Sequence, residues 1–162
     1  MVILGIDPGT AVTGIGLIRF RGENFTVVDY QAVRTSPHKK LPERLKEIYE
    51  AVSDTIRDFS PQYCVVEQTF GGKNIRSILL LGQARGAAIM AAVNAGVEVV
   101  EYSPREIKMS VVGNGNASKP QVQFMVRSIL GLRENPEPPD CADALAAAIC
   151  LANRIKLAGK LK

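Results

Sequence analysis

Three strand-like runs crowd into the chain before residue 34, and only then do helices begin to alternate with strands. That order limits the possible folds more than any other feature. Val2–Ile6 is an apolar run closed by Asp7-Pro8-Gly9, the pattern of a buried strand ending in a turn. Gly14–Phe20 and Phe25–Val33 are β-rich runs separated by Arg21-Gly22-Glu23-Asn24, which reads as a hairpin. The first three strands are therefore expected to form an antiparallel meander. Over Pro42–Phe59 the spacing then changes. Leu41, Leu45, Ile48, Val52, Ile56 and Phe59 recur every three or four residues with charges between them, as on one face of a helix. Tyr63–Glu67 reads as a strand, Lys73–Ala95 as a long helix carrying Ile78, Leu79, Gly82, Gly86 and Ile89, and Val97–Tyr102 as the fifth strand. The order βββαβαβ predicts an α/β fold with a mixed sheet.

The rest of the chain reads as helix with clear punctuation. Ser103-Pro104-Arg105-Glu106 has the form of a capping box with proline at the first helical position, and Ser118-Lys119-Pro120-Gln121 repeats it ahead of Val122–Leu130. Gly113-Asn114-Gly115-Asn116 separates the two helices as a loop. Pro136–Pro139 reads as a rigid connector, and a last helix is expected from about Asp140 to about Lys156. No repeat or linker divides the chain, so residues 1–162 are expected to form a single domain. A domain of that length buries roughly 70% of the surface its unfolded chain exposes, enough for a core without staples.

Cys64, Cys141 and Cys150 are odd in number, widely spaced and without a C-x-x-C pair. This argues against a disulfide framework or a zinc knuckle and fits a reducing compartment. The N-terminal residues read as a strand rather than a signal peptide. No uninterrupted apolar stretch reaches the length of a membrane span. The expected setting is the cytoplasm, with no membrane partner.

Four carboxylates carry the functional argument. Asp7 and Glu67 each stand where an apolar strand-like run meets an acid, and Asp140 and Asp143 are three apart at a helix start, on one side of its first turn. Each has an ordinary explanation. Asp-Pro-Gly makes turns without chemistry, a strand can end in solvent, and aspartate caps helices and complements their dipole. Together they allow another reading. Ligands of open α/β sheets gather beyond the carboxyl ends of the strands, and four carboxylates gathered there would repel unless a cation joined them. Mg²⁺ suits such a set, because it is hard, takes oxygen ligands and keeps waters for chemistry. Two such ions about 3.5–4 Å apart could clamp a phosphodiester. The chain has 20 Lys and Arg against 16 Asp and Glu, a net charge of +4. Setting the four acids aside leaves +8 for the remaining surface, a modest pointer to an anionic partner. His38, the single histidine, sits in a Lys-rich loop and reads as solvated.

The same residues carry a family resemblance. Gly5-Ile6-Asp7-Pro8-Gly9-Thr10 with Thr13-Gly14 resembles the opening motif of the RuvC-type Holliday junction resolvases, small nucleases of the RNase H-like fold. Glu67-Gln68 with Phe70 and Lys73-Asn74 resembles their second motif. Leu81-Gly82-Gln83-Ala84-Arg85-Gly86 is similar to their long-helix signature, and Val111-Val112-Gly113 through Lys119, then Asp140-Cys141-Ala142-Asp143-Ala144-Leu145-Ala146, complete the set. The first motif alone also resembles the opening of sugar kinases and actin-like ATPases. The combination covers nearly the whole chain, in order. Thr69, Gly71 and Gly72 depart from the bulkier residues common in the family.

The resemblance implies an RNase H-like five-stranded mixed sheet flanked by helices. It also implies a crossover junction endodeoxyribonuclease that nicks four-way DNA junctions in recombination and repair. Asp7, Glu67, Asp140 and Asp143 would be its metal-binding catalytic acids, with Mg²⁺ as cofactor (two ions per site, Mn²⁺ as substitute). Lys108 and Lys119 match family lysines that sit near the scissile phosphate or bind DNA, and Phe70 matches an aromatic that stacks on or wedges the bases near the branch point. Lys73 and Arg76, with Lys39 and Lys40, are candidate phosphate contacts, although a charge run is often just a solvated face. The implied partners are four-way junction DNA, a second copy in a homodimer and the RuvA–RuvB branch-migration complex. The small residues of 73–95 suit either a close dimer contact or packing on the sheet. Rival readings are a junction-binding scaffold without cleavage, an actin-like nucleotide-binding domain, and an enzyme that cuts RNA–DNA hybrids.

Overall fold

The computed structural model describes residues 1–68 and 74–160. Strands β1 (Val2–Asp7), β2 (Val12–Arg21) and β3 (Asn24–Arg34) come first, followed by α1 (Leu41–Phe59), β4 (Tyr63–Glu67), α2 (Ile75–Asn94) and β5 (Glu98–Tyr102). Three helices then close the chain: α3 (Pro104–Val112), α4 (Lys119–Leu130) and α5 (Pro139–Lys160). The five strands form one sheet in the order β3-β2-β1-β4-β5. As expected, β1, β2 and β3 pair antiparallel, while β4 pairs parallel with both β1 and β5.

Strand polarity sorts the apolar residues onto two faces. Ile3, Ile18 and Val65 point toward α3, α4 and α5, and the intervening Leu4, Ile6, Leu17, Cys64 and Val66 point toward α1 and α2. This period of two gives a helix–sheet–helix sandwich with a core on each side. On one side, α1 contributes buried Ile48, Val52 and Ile56, as its spacing predicts. On the other, the capping boxes of Ser103 with Glu106 and of Ser118 with Gln121 both form and fix the starts of α3 and α4.

Element ends differ from the sequence reading by a few residues. β2 and β3 extend past their apolar runs because backbone pairing continues to Val12↔Arg34 and Arg21↔Asn24 whatever the side chains. Asn74 caps α2 by accepting from Ser77 N–H at 2.9 Å, so the described helix starts at Ile75. The last helix continues to Lys160, since no proline interrupts it after Asp140. By length and composition alone α2 is apolar enough to cross a membrane. In this fold its Ala84, Ala88, Ala91 and Ala92 are buried in the α1-side core and Arg85 pairs with Glu101 of β5.

α5 approaches the sheet closely. Gly5 and Gly16 are cross-strand partners, Gly14 lies opposite Asp7, and all three face α5. A Cβ on Gly5 would stand 1.9 Å from the Ala144 carbonyl oxygen, and one on Gly14 would stand 2.0 Å from that of Asp140. The helix answers with small residues: Ala142, Ala144, Ala146, Ala147 and Ala148 are fully buried. Backbone thus packs on backbone, at a separation that side chains on the sheet would prevent.

Candidate active site

Asp7 and Glu67 end two adjacent parallel strands, one residue beyond the Ile6↔Val66 pair. By the alternation of strand side chains, Asp7 shares the face of Ile3 and Gly5, and Glu67 that of Val65. That is the α5 face. The first turn of α5 lies over this sheet edge with Asp140 and Asp143, held there by the contact of Asp140 with Gly14. Its N-terminal N–H groups bring partial positive charge to the same place.

The electrostatics show how closely the acids are coupled. Burial pushes the Asp7 carboxyl up from an ordinary 3.8 to about 8, and the charges of Glu67, Asp143 and Asp140 push the same way. Glu67 is pushed up from 4.5 to about 7 by burial and then by Asp143. Burial also raises Asp143, against the pull of Lys119. Lys119, in the first turn of α4, places its ammonium 3.3 Å from Asp143 Oδ2, and its own pKa rises chiefly because of that carboxylate. Lys108, half-buried on α3, lowers both Glu67 and Asp143 by its charge.

Of the residues singled out in the sequence, six come together here: Asp7, Glu67, Asp140, Asp143, Lys119 and Lys108. Arg76 does not join them. It is exposed in the first turn of α2, and among the described residues it has no ion pair with the acids. Phe70 and Lys73 lie outside the described residues. Lys39 is engaged by Glu47 of α1. The sequence reading missed the glycine seat, although the alternation Gly5-x-Asp7 and Gly14-x-Gly16 already put these glycines on the face of the acid. It also missed what Thr13 does: fully buried, this residue donates its hydroxyl to the Gly9 carbonyl at 2.7 Å and shapes the turn after Asp7.

The donor set is chemically right for a hard cation, being made of carboxylate oxygens, and burial with mutual repulsion makes Asp7, Glu67 and Asp143 harder to ionise alone. It is not a finished cage. Among the described residues no three acid, histidine or cysteine side chains already stand close enough to share an ion. Lys119 supplies part of the missing positive charge.

The sequence model of the family described as crossover junction endodeoxyribonuclease RuvC matches residues 3–151. The chain belongs to the RuvC family. The RuvC of Desulforamulus reducens is 47% identical over 152 residues, covering 94% of this chain and 93% of that protein. The RuvC of Pelotomaculum thermopropionicum is 44% identical over 162 residues, covering 100% and 99%. Among solved structures, Thermus thermophilus RuvC in complex with Holliday junction substrate superposes with a TM-score of 0.92 at 36% identity, covering 98% of this chain and 96% of that one. A yeast mitochondrial Holliday junction resolvase, 14% identical with a TM-score of 0.69, shares the fold. The RNase H-like fold expected from the RuvC resemblance is therefore the one adopted.

Proposed function

We propose that this chain is a divalent-metal-dependent endonuclease that resolves four-way DNA junctions by paired, symmetric phosphodiester hydrolysis in recombination and repair. What carries the reading is the meeting of Asp7, Glu67, Asp140 and Asp143 beside Lys119 in a RuvC-family chain. A RuvC of the same fold is known with Holliday junction substrate bound. The four carboxylates are the residues that would hold the metal, with Mg²⁺ the proposed ion at two per site and Mn²⁺ a working substitute. When bound, such ions polarise the phosphate and lower the pKa of water. Lys119 and Lys108 face the same space and would take up phosphate charge. Hydrolysis breaks the P–O3′ bond and leaves a 5′-phosphate. Phe70, Lys73 and Arg76 are proposed as further DNA contacts beyond the acids.

Symmetric nicking needs two sites related by a two-fold axis, and the proposed dimer surface is the outer face of α2. Ile75, Ile78, Leu79, Met90 and Val93 are exposed there, and Gly82 and Gly86 on the same helix have open space where a Cβ would stand. The proposed setting is the cytoplasm, with the RuvA–RuvB branch-migration complex delivering the junction.

The test compares nicking of a synthetic four-way junction, a linear duplex and an RNA–DNA hybrid, with Mg²⁺, Mn²⁺ or EDTA, for wild type and Asp143→Asn. The expected result is paired, metal-dependent nicks on the junction, lost in a variant that still binds it. Binding without cleavage by wild type would point to a scaffold, and preference for hybrid to a different substrate on the same fold.

A further inference from the structure

After Asp7 the chain reverses through Pro8–Ala11 to enter β2, and this turn is gripped from both sides. Inside it, Thr13 exchanges hydrogen bonds with Gly9: its hydroxyl donates to the Gly9 carbonyl at 2.7 Å and accepts from Gly9 N–H at 3.3 Å. Outside it, the Thr10 carbonyl accepts from the Thr35 hydroxyl and, at 2.8 Å, from Nη2 of Arg44. Nε of the same guanidinium donates to Thr35 Oγ1 at 2.8 Å, and Thr35 N–H donates to the Ala11 carbonyl at 3.1 Å. Thr35 is buried just past the end of β3, and Arg44 is half-buried in the first turn of α1. Two successive carbonyls of the Asp7 turn are thus tied to two other elements.

The chemistry of Arg44 suits this task. Among the described residues no carboxylate pairs with it, so its charge is directed at neutral oxygen acceptors. Its planar fork presents Nε and Nη2 together, matching a hydroxyl and a carbonyl side by side, whereas a lysine offers one point donor. The Thr35 hydroxyl has one proton and two lone pairs, so it can donate to Thr10 while accepting from Arg44. Without the guanidinium, the Thr10 carbonyl would keep only the Thr35 hydroxyl, which would itself have lost its donor.

We propose that Arg44 is a positioning residue for phosphodiester cleavage: its two-donor grip on Thr35 and Thr10 fixes the turn that aims Asp7 at Glu67, Asp140 and Asp143. This rests on the reading of Asp7 as a metal ligand. Partners that hydrogen-bond a metal ligand directly typically cost 10–100-fold in metal affinity or activity when removed. Arg44 acts one step further out, through the backbone of the turn, so the lower end of that range is expected.

The test uses the full chain with Arg44→Ala, Arg44→Lys and Thr35→Val. Three quantities are read: hydrogen exchange over residues 8–13, Mn²⁺ affinity by calorimetry without DNA, and single-turnover junction nicking. Arg44→Ala is expected to raise exchange in 8–13 while leaving the α5 amides as they were. It should weaken Mn²⁺ and slow nicking by about tenfold each, with junction affinity in EDTA unchanged. Arg44→Lys should recover only part, since it supplies one of the two donors. Should Arg44→Ala not fold, Thr35→Val carries the same expectation, because it removes the hydroxyl between Arg44 and Thr10 at nearly constant volume. A folded Arg44→Ala with wild-type exchange and Mn²⁺ affinity would overturn the proposal alone. Wild type that binds no Mn²⁺ would overturn the metal reading and the proposal together.

Discussion

An aspartate in water gives up its proton near pH 4, whereas burial and three neighbouring carboxylates hold the proton of Asp7 until about pH 8 in the metal-free protein. Between those two values the folded chain keeps a proton that the unfolded chain has lost, so stability falls as pH rises through the window. Glu67, moved from 4.5 to about 7, adds to the same slope over a narrower range. The metal-free protein should therefore melt at a lower temperature at pH 8.5 than at pH 5. The change is expected to be about 1–3 kcal/mol, since each tenfold gain in proton affinity is worth about 1.4 kcal/mol and relaxation of the coupled cluster returns part of it. For a cooperative unit of about this chain's length that is about 2–4 °C per kcal/mol. Asp7→Asn should flatten the slope and raise the metal-free melting temperature at pH 8.5, the reverse of the usual effect of losing a polar group. Melts in EDTA across that range check this, and a wild-type melting temperature that rises steadily with pH would contradict it. Lys119→Ala should steepen the slope, because Lys119 is the nearest cation favouring ionised Asp7, Glu67 and Asp143.

At the scale of elements, the site exists because α5 can lie on bare backbone. An added methyl group at Gly14 would stand 2.0 Å from the Asp140 carbonyl oxygen, so Gly14→Ala must move the start of α5 or bend β2 beside Asp7. A displacement of about 1 Å in a catalytic group can cost 10²-fold in rate, and overpacking at such a contact costs about 1–3 kcal/mol. The variant should fold, bind the junction in EDTA and cut it at least about 100-fold more slowly. Wild-type cutting rates in Gly14→Ala would show that the seat does not set the spacing of the acids. Much of this was legible beforehand, for reasons that differ by element. The meander, the mixed sheet and the start of α4 follow from local signals: apolar runs with period two, a four-residue hairpin, and the Ser118 box. Asp7 and Glu67 announced themselves because an acid closing an apolar strand breaks its pattern. The seat of α5 was harder to see, because it depends on Gly14 and Asp140 meeting across 126 positions of chain, and glycine reports a close approach without naming what approaches. Arg44 was hidden differently. On an amphipathic helix an arginine reads as solvent-facing, and its real partners are a hydroxyl and a carbonyl that no side-chain pattern reveals.

At the scale of the whole molecule, the two sides of the sheet are finished unequally. The first three turns of α5 are buried between the sheet and α3 and α4, while α2 buries one alanine face and leaves a stripe of large apolar side chains in solvent. Ile75 is 76% exposed and Leu79 61%. Positions 75, 79, 82, 86, 90 and 93 advance by three or four residues and so lie on one side of the helix. Gly82 and Gly86, in the middle of that side, offer a shallow notch where a second helix can approach closely. The two outcomes for this surface predict opposite signs for one substitution. If α2 faces water, Gly82→Ala gains helix propensity and stabilises the protein by about 1 kcal/mol, because nothing lies within 4 Å of the new methyl group. If α2 packs on a second copy, the methyl group falls in the seam twice, once per subunit, and weakens the dimer. The expected outcome is the second: a dimer of wild type by sedimentation, a higher dissociation constant for Gly82→Ala, and a monomer for Leu79→Glu. That monomer should retain its fold, since Leu79 is largely exposed and belongs to neither core cluster, but it should nick junction strands singly and lose the paired cuts. Stabilisation by Gly82→Ala in a wild type that is still dimeric would remove α2 as the dimer surface and leave paired cutting to another face, and a monomeric wild type would overturn the dimer itself.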